Sequence, residues 1–132
     1  MNVLVSGAGG FVGSVLLPAL NQQGFRTTVL TRAPAANEER TVVWDPSRGV
    51  LSKEALEGID AVVHLAGESI VGRWTAAKKA CIRESRIQGT RLLANTIAQL
   101  PKPPRVFVSA SAIGFYGDRG EEILTEIGRA HV

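Results

Sequence analysis

The sequence predicts a three-layer α/β domain built on a doubly wound parallel sheet with strand order 3-2-1-4-5. Two observations carry this. Short β-branched or aliphatic runs alternate with segments whose apolar residues recur every three or four positions, and the first run ends directly in a cluster of glycines that opens the first helical segment. With 132 residues there is room for one such domain, with a core that needs neither disulfide nor metal to hold it.

Residues 2–6, Asn-Val-Leu-Val-Ser, form the first expected strand, apolar enough to be buried on both faces. Residues 7–13 are the turn. From 11 to 23, Val12, Val15, Leu16, Ala19 and Leu20 share one helical face, and Gly24 supplies the stop. Pro18 lies inside this helix, where it must remove one backbone hydrogen bond. Residues 27–31 and 41–44 read as the second and third strands, the latter ending at the breaker Asp45-Pro46. Residues 61–65 form a fourth, apolar except for His64. Thr75 can cap a long helix running to about Gln99, which Pro101, Pro103 and Pro104 prevent from continuing, and 105–108 make a fifth strand. Helical crossovers should cover the sheet on both faces.

Composition narrows the function. Hydrophobic residues make up 45% of the chain and charged residues 20%, with a net charge of +3. That small excess, interrupted by acids and densest along 73–91, where Glu84 is the one acid, does not call for nucleic acid and suits a phosphate-bearing small molecule. One cysteine, Cys81, excludes an internal disulfide, and with His64 and His131 it makes no ligand set for structural zinc. No signal peptide or membrane-spanning run is present in the sequence, so a reducing, cytoplasmic setting is expected.

Gly7-Ala8-Gly9-Gly10-Phe11-Val12-Gly13 spaces glycines at its first, fourth and seventh positions between strand and helix. The first permits the tight turn, the middle one lets amides approach a pyrophosphate, and the last lets helix and strand pack closely. Gly7, Gly10, Phe11, Val12 and Gly13 are therefore candidate cofactor-binding residues of a dinucleotide fold. A Walker A loop is excluded because no Lys-Ser/Thr follows the glycines. At the end of the second strand, where binders of NAD place an acid for the ribose 2′-hydroxyl, stand Thr31 and Arg32. A guanidinium there suits the 2′-phosphate of NADP, which is favoured over NAD; the bland alternative is a solvated surface arginine.

These motifs give the chain a resemblance to the extended short-chain dehydrogenase/reductase superfamily, within the NAD-dependent epimerase/dehydratase group, and more narrowly to its atypical branch of epimerase family, sugar-nucleotide epimerase-like proteins. The glycine loop carries the resemblance together with Trp44-Asp45-Pro46, the Asp60 to Glu68 run, Arg73-Trp74, the Ser85 to Leu93 run and the Ser109 to Asp118 run. The resemblance implies a Rossmann-like NAD(P)-binding domain over residues 1–126, incomplete at its C-terminal end. Leu65, Ala66 and Gly67 should line the cofactor. Arg86, where common extended members carry Asn, either reaches the cofactor phosphates, replaces the structural water network that Asn organises, or is a solvated charge.

Ser111 falls at the family's catalytic Ser position. The Tyr-x-x-x-Lys that would lower a tyrosine pKa is absent: Tyr116 is the only tyrosine and Gly120 follows four residues later. Two functions thus stay open, an NADP-dependent epimerase or oxidoreductase of unspecified substrate and a non-catalytic NADP-binding module. His64 reads as a core imidazole satisfied by backbone groups, and Cys81 as buried filler on the small side of the long helix. Residues 127–132 do not resemble the family and can be encoded by the opening of a common short-read sequencing adapter, so they read as a tail foreign to the domain.

Overall fold

The computed structural model describes residues 1–33, 40–111 and 117–123. Tyr116 and the 127–132 segment lie outside them. Five parallel strands, β1 (Asn2–Ser6), β2 (Arg26–Thr31), β3 (Thr41–Val43), β4 (Ala61–His64) and β5 (Val106–Ser109), form one sheet in the expected order β3-β2-β1-β4-β5. β1 is central, pairing Val3 with Thr27 on one side and with Ala61 on the other. Strand order reverses beside β1, so the crevice above its C-terminal end is where such sheets take ligands.

The alternation of side chains along β1 separates two cores. Leu4 joins Leu30, Val42 and Val62 beneath the second helix, α2 (Ala76–Ala98), with Leu93 and Leu100 closing that layer. Val3 and Val5 face the other way, onto Leu16, Leu17 and Leu20 of α1 (Phe11–Gln22). A one-residue slip would exchange these sets, which is why the register is firmly specified.

Helix ends follow local chemistry. α1 stops where Gly24 takes φ +79°, a left-handed conformation costly for residues with a Cβ, while the Phe25 amide returns to the Leu20 carbonyl at 3.1 Å. Thr75 caps α2 as expected, its Oγ1 accepting from the Lys78 amide at 3.1 Å. Pro18 sits on the exposed side of α1.

The crossover between β3 and β4, which shows no helical period in its sequence, carries a single 3-10 turn, Glu54–Leu56, whose Leu56 joins Ile59 in the core. One feature differs from expectation: coverage of both faces fails at β5, where Val106, Phe107 and Val108 are 50%, 39% and 49% exposed, because among the described residues both long helices pack nearer the centre of the sheet.

Candidate functional site

At the C-terminal end of the sheet lies a cavity of about 450 Å³, within the range of small-molecule sites. Its floor is the glycine loop, Gly7 to Gly9; one wall is the end of β2 with Thr31 and Arg32; a second is Trp44 to Ser47 after β3; the third joins Ala66, Gly67 and Glu68 after β4 to Cys81, Ser85 and Gln88 of α2.

Close packing dictates the loop glycines. A Cβ on Gly13 would lie 2.3 Å from the Gly7 carbonyl oxygen, and one on Gly7, already at φ +73°, would lie 2.8 Å from the Ala66 nitrogen. The glycine loop therefore rests directly on the β4 loop. Gly10 precedes α1 with no side-chain cap, and no acid stands in the first turn, so the helix's N-terminal amides and its dipole are left for an anion.

Ser6, just before that loop, is a junction. Its Oγ accepts from the Leu65 and Ala66 amides at 3.2 and 3.3 Å, so its own hydrogen goes to His64 Nδ1 at 2.6 Å. The ring hydrogen then belongs on Nε2, which donates to Thr90 Oγ1 at 3.1 Å. His64 is thus a core imidazole, satisfied by two hydroxyls rather than by backbone, with Trp44 packed edge-on at 6.0 Å. Burial holds its pKa below the ordinary value and keeps it neutral.

The third wall is fastened by Glu68. Its amide donates to Ser85 Oγ at 2.9 Å, its carbonyl accepts from Arg86 Nη1 at 3.1 Å, and its carboxylate pairs with Lys78 Nζ at 2.6 Å. Hydrogen bonding and attraction from Lys78, then the charges of Arg32 and Arg86, hold its carboxyl below the usual range. Asp45 is also held low, chiefly by Ser47 Oγ, with help from the Ser47 and Arg48 amides.

Of the residues singled out in the sequence, Gly7, Thr31, Arg32, Ala66 and Gly67 line the cavity. Thr31 Oγ1 donates to the Ala33 carbonyl at 2.8 Å, forming the turn on which exposed Arg32 sits. Gly10, Phe11, Val12 and Gly13 stand at the helix start beside the wall rather than in it, with Phe11 93% exposed. Leu65 lies under the loop. The Arg86 guanidinium lies against Gly67, where a Cβ would be 3.1 Å from its Cζ, and it braces the β4 loop rather than lining the cavity. Ser111 is exposed just beyond β5 and also outside the lining. Cys81 is a correction: it is exposed on the cavity wall and is not buried filler, because that side of α2 faces the crevice instead of the sheet. The sequence reading missed Glu68, Ser85 and Gln88 as wall residues; the only signal for Glu68 was its place one residue after the expected cofactor-lining run.

A sequence profile described as the NAD dependent epimerase/dehydratase family matches residues 3–129. The chain belongs to that family. Among the family's curated members, the epimerase family protein YfhF of Bacillus subtilis is 35% identical over 128 residues, covering 96% of this chain and 42% of that protein. Two solved structures are similar. The human epimerase family protein SDR39U1 (isoform 2), crystallised with NADPH, has 34% identity and a TM-score of 0.72, covering 88% of this chain and 38% of that one. The nucleoside-diphosphate sugar epimerase from Corynebacterium glutamicum has 37% identity and a TM-score of 0.74, covering 94% of this chain and 25% of that one. The chain thus spans about two fifths of the length of the curated relatives it matches. Among the described residues, no helix is long and apolar enough to cross a membrane, and no three of His, Cys, Asp and Glu gather as a metal site.

Proposed function

We propose that this chain is the NADP-binding part of an epimerase-family protein, and that the whole protein carries out epimerase- or oxidoreductase-type chemistry on a substrate held by residues beyond this chain. The observation that carries the cofactor reading is Arg32, on the cavity wall at the end of β2, where an NAD binder would need a carboxylate. The similarity to a protein crystallised with NADPH supports it. The residues fit such a cofactor. Uncapped amides at the start of α1, with Gly7, Gly10, Phe11, Val12 and Gly13, would take the pyrophosphate; Thr31 and Arg32 the 2′-phosphate end; Leu65, Ala66 and Gly67 the inner ribose, with Arg86 holding their loop.

When bound, the nicotinamide supplies hydride transfer. Ser111, beyond the end of β5, is the proposed hydroxyl that would hold a substrate oxygen. Gly120, standing four residues after Tyr116 where a lysine would be needed, favours a second reading, a binding module without chemistry.

Titration of the intact protein with NADPH and NADH tests the cofactor reading. NADPH should bind more tightly, Arg32→Ala should remove most of the difference while leaving NADH nearly unchanged, and Gly10→Val should weaken both. Equal affinities, or an Arg32→Ala variant that keeps the preference, would make Arg32 a surface charge only. Turnover of nucleotide sugars by the intact protein separates enzyme from module.

A further inference from the structure

The Arg32 reading leaves the opposite side of the cavity unexplained. Glu68 places a carboxylate on the α2 wall of the same cavity that Arg32 lines. Arg32 and Glu68 line the same cleft, and the Arg32 charge acts on the Glu68 carboxyl, so charges on its walls are not fully screened from one another or from a bound anion. An isolated carboxylate there would oppose a 2′-phosphate, which adds nearly two negative charges, far more than it would oppose the uncharged 2′-hydroxyl of NADH.

We propose that the Lys78–Glu68 ion pair is a specificity-determining element of this domain, in which Lys78 cancels the Glu68 charge and so permits the preference for the phosphorylated dinucleotide. The inference rests on the Arg32 reading. Its geometry is direct: Lys78 Nζ lies 2.6 Å from Glu68 Oε1, and both side chains are partly withdrawn from solvent, at 23% and 38% exposure. The pair is anchored on both sides. Thr75 fixes the turn of α2 that bears Lys78, while Ser85 and Arg86 hold the Glu68 backbone, so the loop that carries the carboxylate keeps its place if Lys78 is lost. Asp45, the other carboxylate lining the cavity among the described residues, is held by Ser47 and the Arg48 amide and stays constant across the variants below.

A merely structural brace would behave differently from a charge balance. Losing a brace loosens the wall for both cofactors alike, whereas unmasking a charge penalises NADPH selectively. Dissociation constants for NADPH and NADH should therefore be measured for the intact parent protein, Lys78→Met, Glu68→Gln and the double variant, with thermal melting confirming that each is folded and Lys78→Arg as the charge-preserving control.

Lys78→Met should cut the NADPH-over-NADH preference roughly three- to ten-fold, as expected for one uncompensated charge acting across a solvent-filled cleft at intermediate dielectric. Glu68→Gln should keep or raise the preference, the double variant should restore it, and Lys78→Arg should leave it near the parent's. Added salt should shrink the Lys78→Met effect. Equal weakening of both cofactors by Lys78→Met, or a double variant as unselective as Lys78→Met, would reduce the pair to a brace and leave the Arg32 reading standing. A parent with no preference would overturn both. If Lys78→Met fails to fold, Glu68→Gln alone still decides: a fall in the preference refutes the proposal.

Discussion

Gly13 offers a test of how the glycine loop and α1 are joined. In Gly13→Ala the new Cβ would lie 2.3 Å from the Gly7 carbonyl oxygen, 2.7 Å from Ala8 Cα and 2.8 Å from the Ala8 carbonyl oxygen. All three are backbone atoms, so no side chain can rotate away; the helix must lift off the loop by about 1 Å to reach ordinary contact. Gly7 cannot retreat freely, because its carbonyl accepts from the Gly10 amide at 3.0 Å and its own Cα abuts the Leu65–Ala66 peptide. Overpacking of this kind costs about 3 kcal/mol or somewhat more where backbone must move, against which alanine's better helix propensity returns about 1 kcal/mol. A net loss of about 2–3 kcal/mol should lower Tm by roughly 6–15 °C for a domain of this size. Gly9→Ala is the matched control: nothing lies within 4 Å of its Cβ and its φ is not in the left-handed region, so stability should stay within about 0.5 kcal/mol or rise slightly. Differential scanning calorimetry of both variants decides the matter. A Gly13→Ala protein melting within about 2 °C of the parent, or a Gly9→Ala protein destabilised as much, would refute the packing argument.

His64 should impose a pH dependence on stability. Burial lowers its folded pKa below the ordinary imidazole value of about 6.5, so the unfolded chain takes up the proton first as pH falls; the contribution is fully present above about 6.5 and is lost as pH drops through the folded value. Melting curves from pH 8 to 5 should fall along the acid limb, and His64→Gln, which cannot titrate, should flatten that component; an unchanged slope would show that other groups carry it. Leu93→Ala, at a residue 0% exposed between α2 and the sheet, should cost about 2–5 kcal/mol in urea unfolding, and a loss below about 1 kcal/mol would mean the layer collapses to fill the void. Gly89→Ala should come out nearly neutral, because its Cβ meets side chains and no backbone, the Trp44 ring at 3.3 Å and His64 Cε1 at 3.8 Å, so a few tenths of an ångström of ring movement suffice, while helix propensity improves by about 1 kcal/mol; a loss above about 2 kcal/mol would show that buried Trp44 is locked.

What was legible in the sequence was what neighbouring residues decide among themselves. The five parallel strands, their order and both long helices follow from apolar runs, three-and-four periodicity and the glycine loop, each a local signal reinforced by the right-handed crossover rule. The Thr75 cap and the Gly24 stop were equally visible, because capping is chemistry within a few residues. Residues 45–60 were not. Asp45 and Val50 pair through reciprocal backbone bonds of 2.8 and 2.9 Å around an Asp45 side chain that satisfies its own loop, a knot without any helical or strand period to announce it.

The least legible part of the site is the side of α2 that faces it, and the reason is physical. A helix whose apolar stripe must cover a sheet shows that stripe in its sequence, but α2 buries only Gly89, Leu93 and Thr96 among its 23 residues, and its first three turns overhang the crevice instead of the core. There Cys81, Ser85 and Gln88 face a cavity that takes small and polar groups as readily as solvent does, so their pattern is the same as that of an exposed face. Only contacts distant in sequence distinguish the two: Ser85 reaches the Glu68 amide, Lys78 its carboxylate, and Arg86 its carbonyl. Glu68 therefore belongs to the site through three bonds to one helix, none of which its own neighbours in the sequence specify. The same dependence makes its charge adjustable, since Lys78 stands on a different element from the loop that lines the cavity, and a substitution on α2 can change the cavity's charge without altering a residue that lines it.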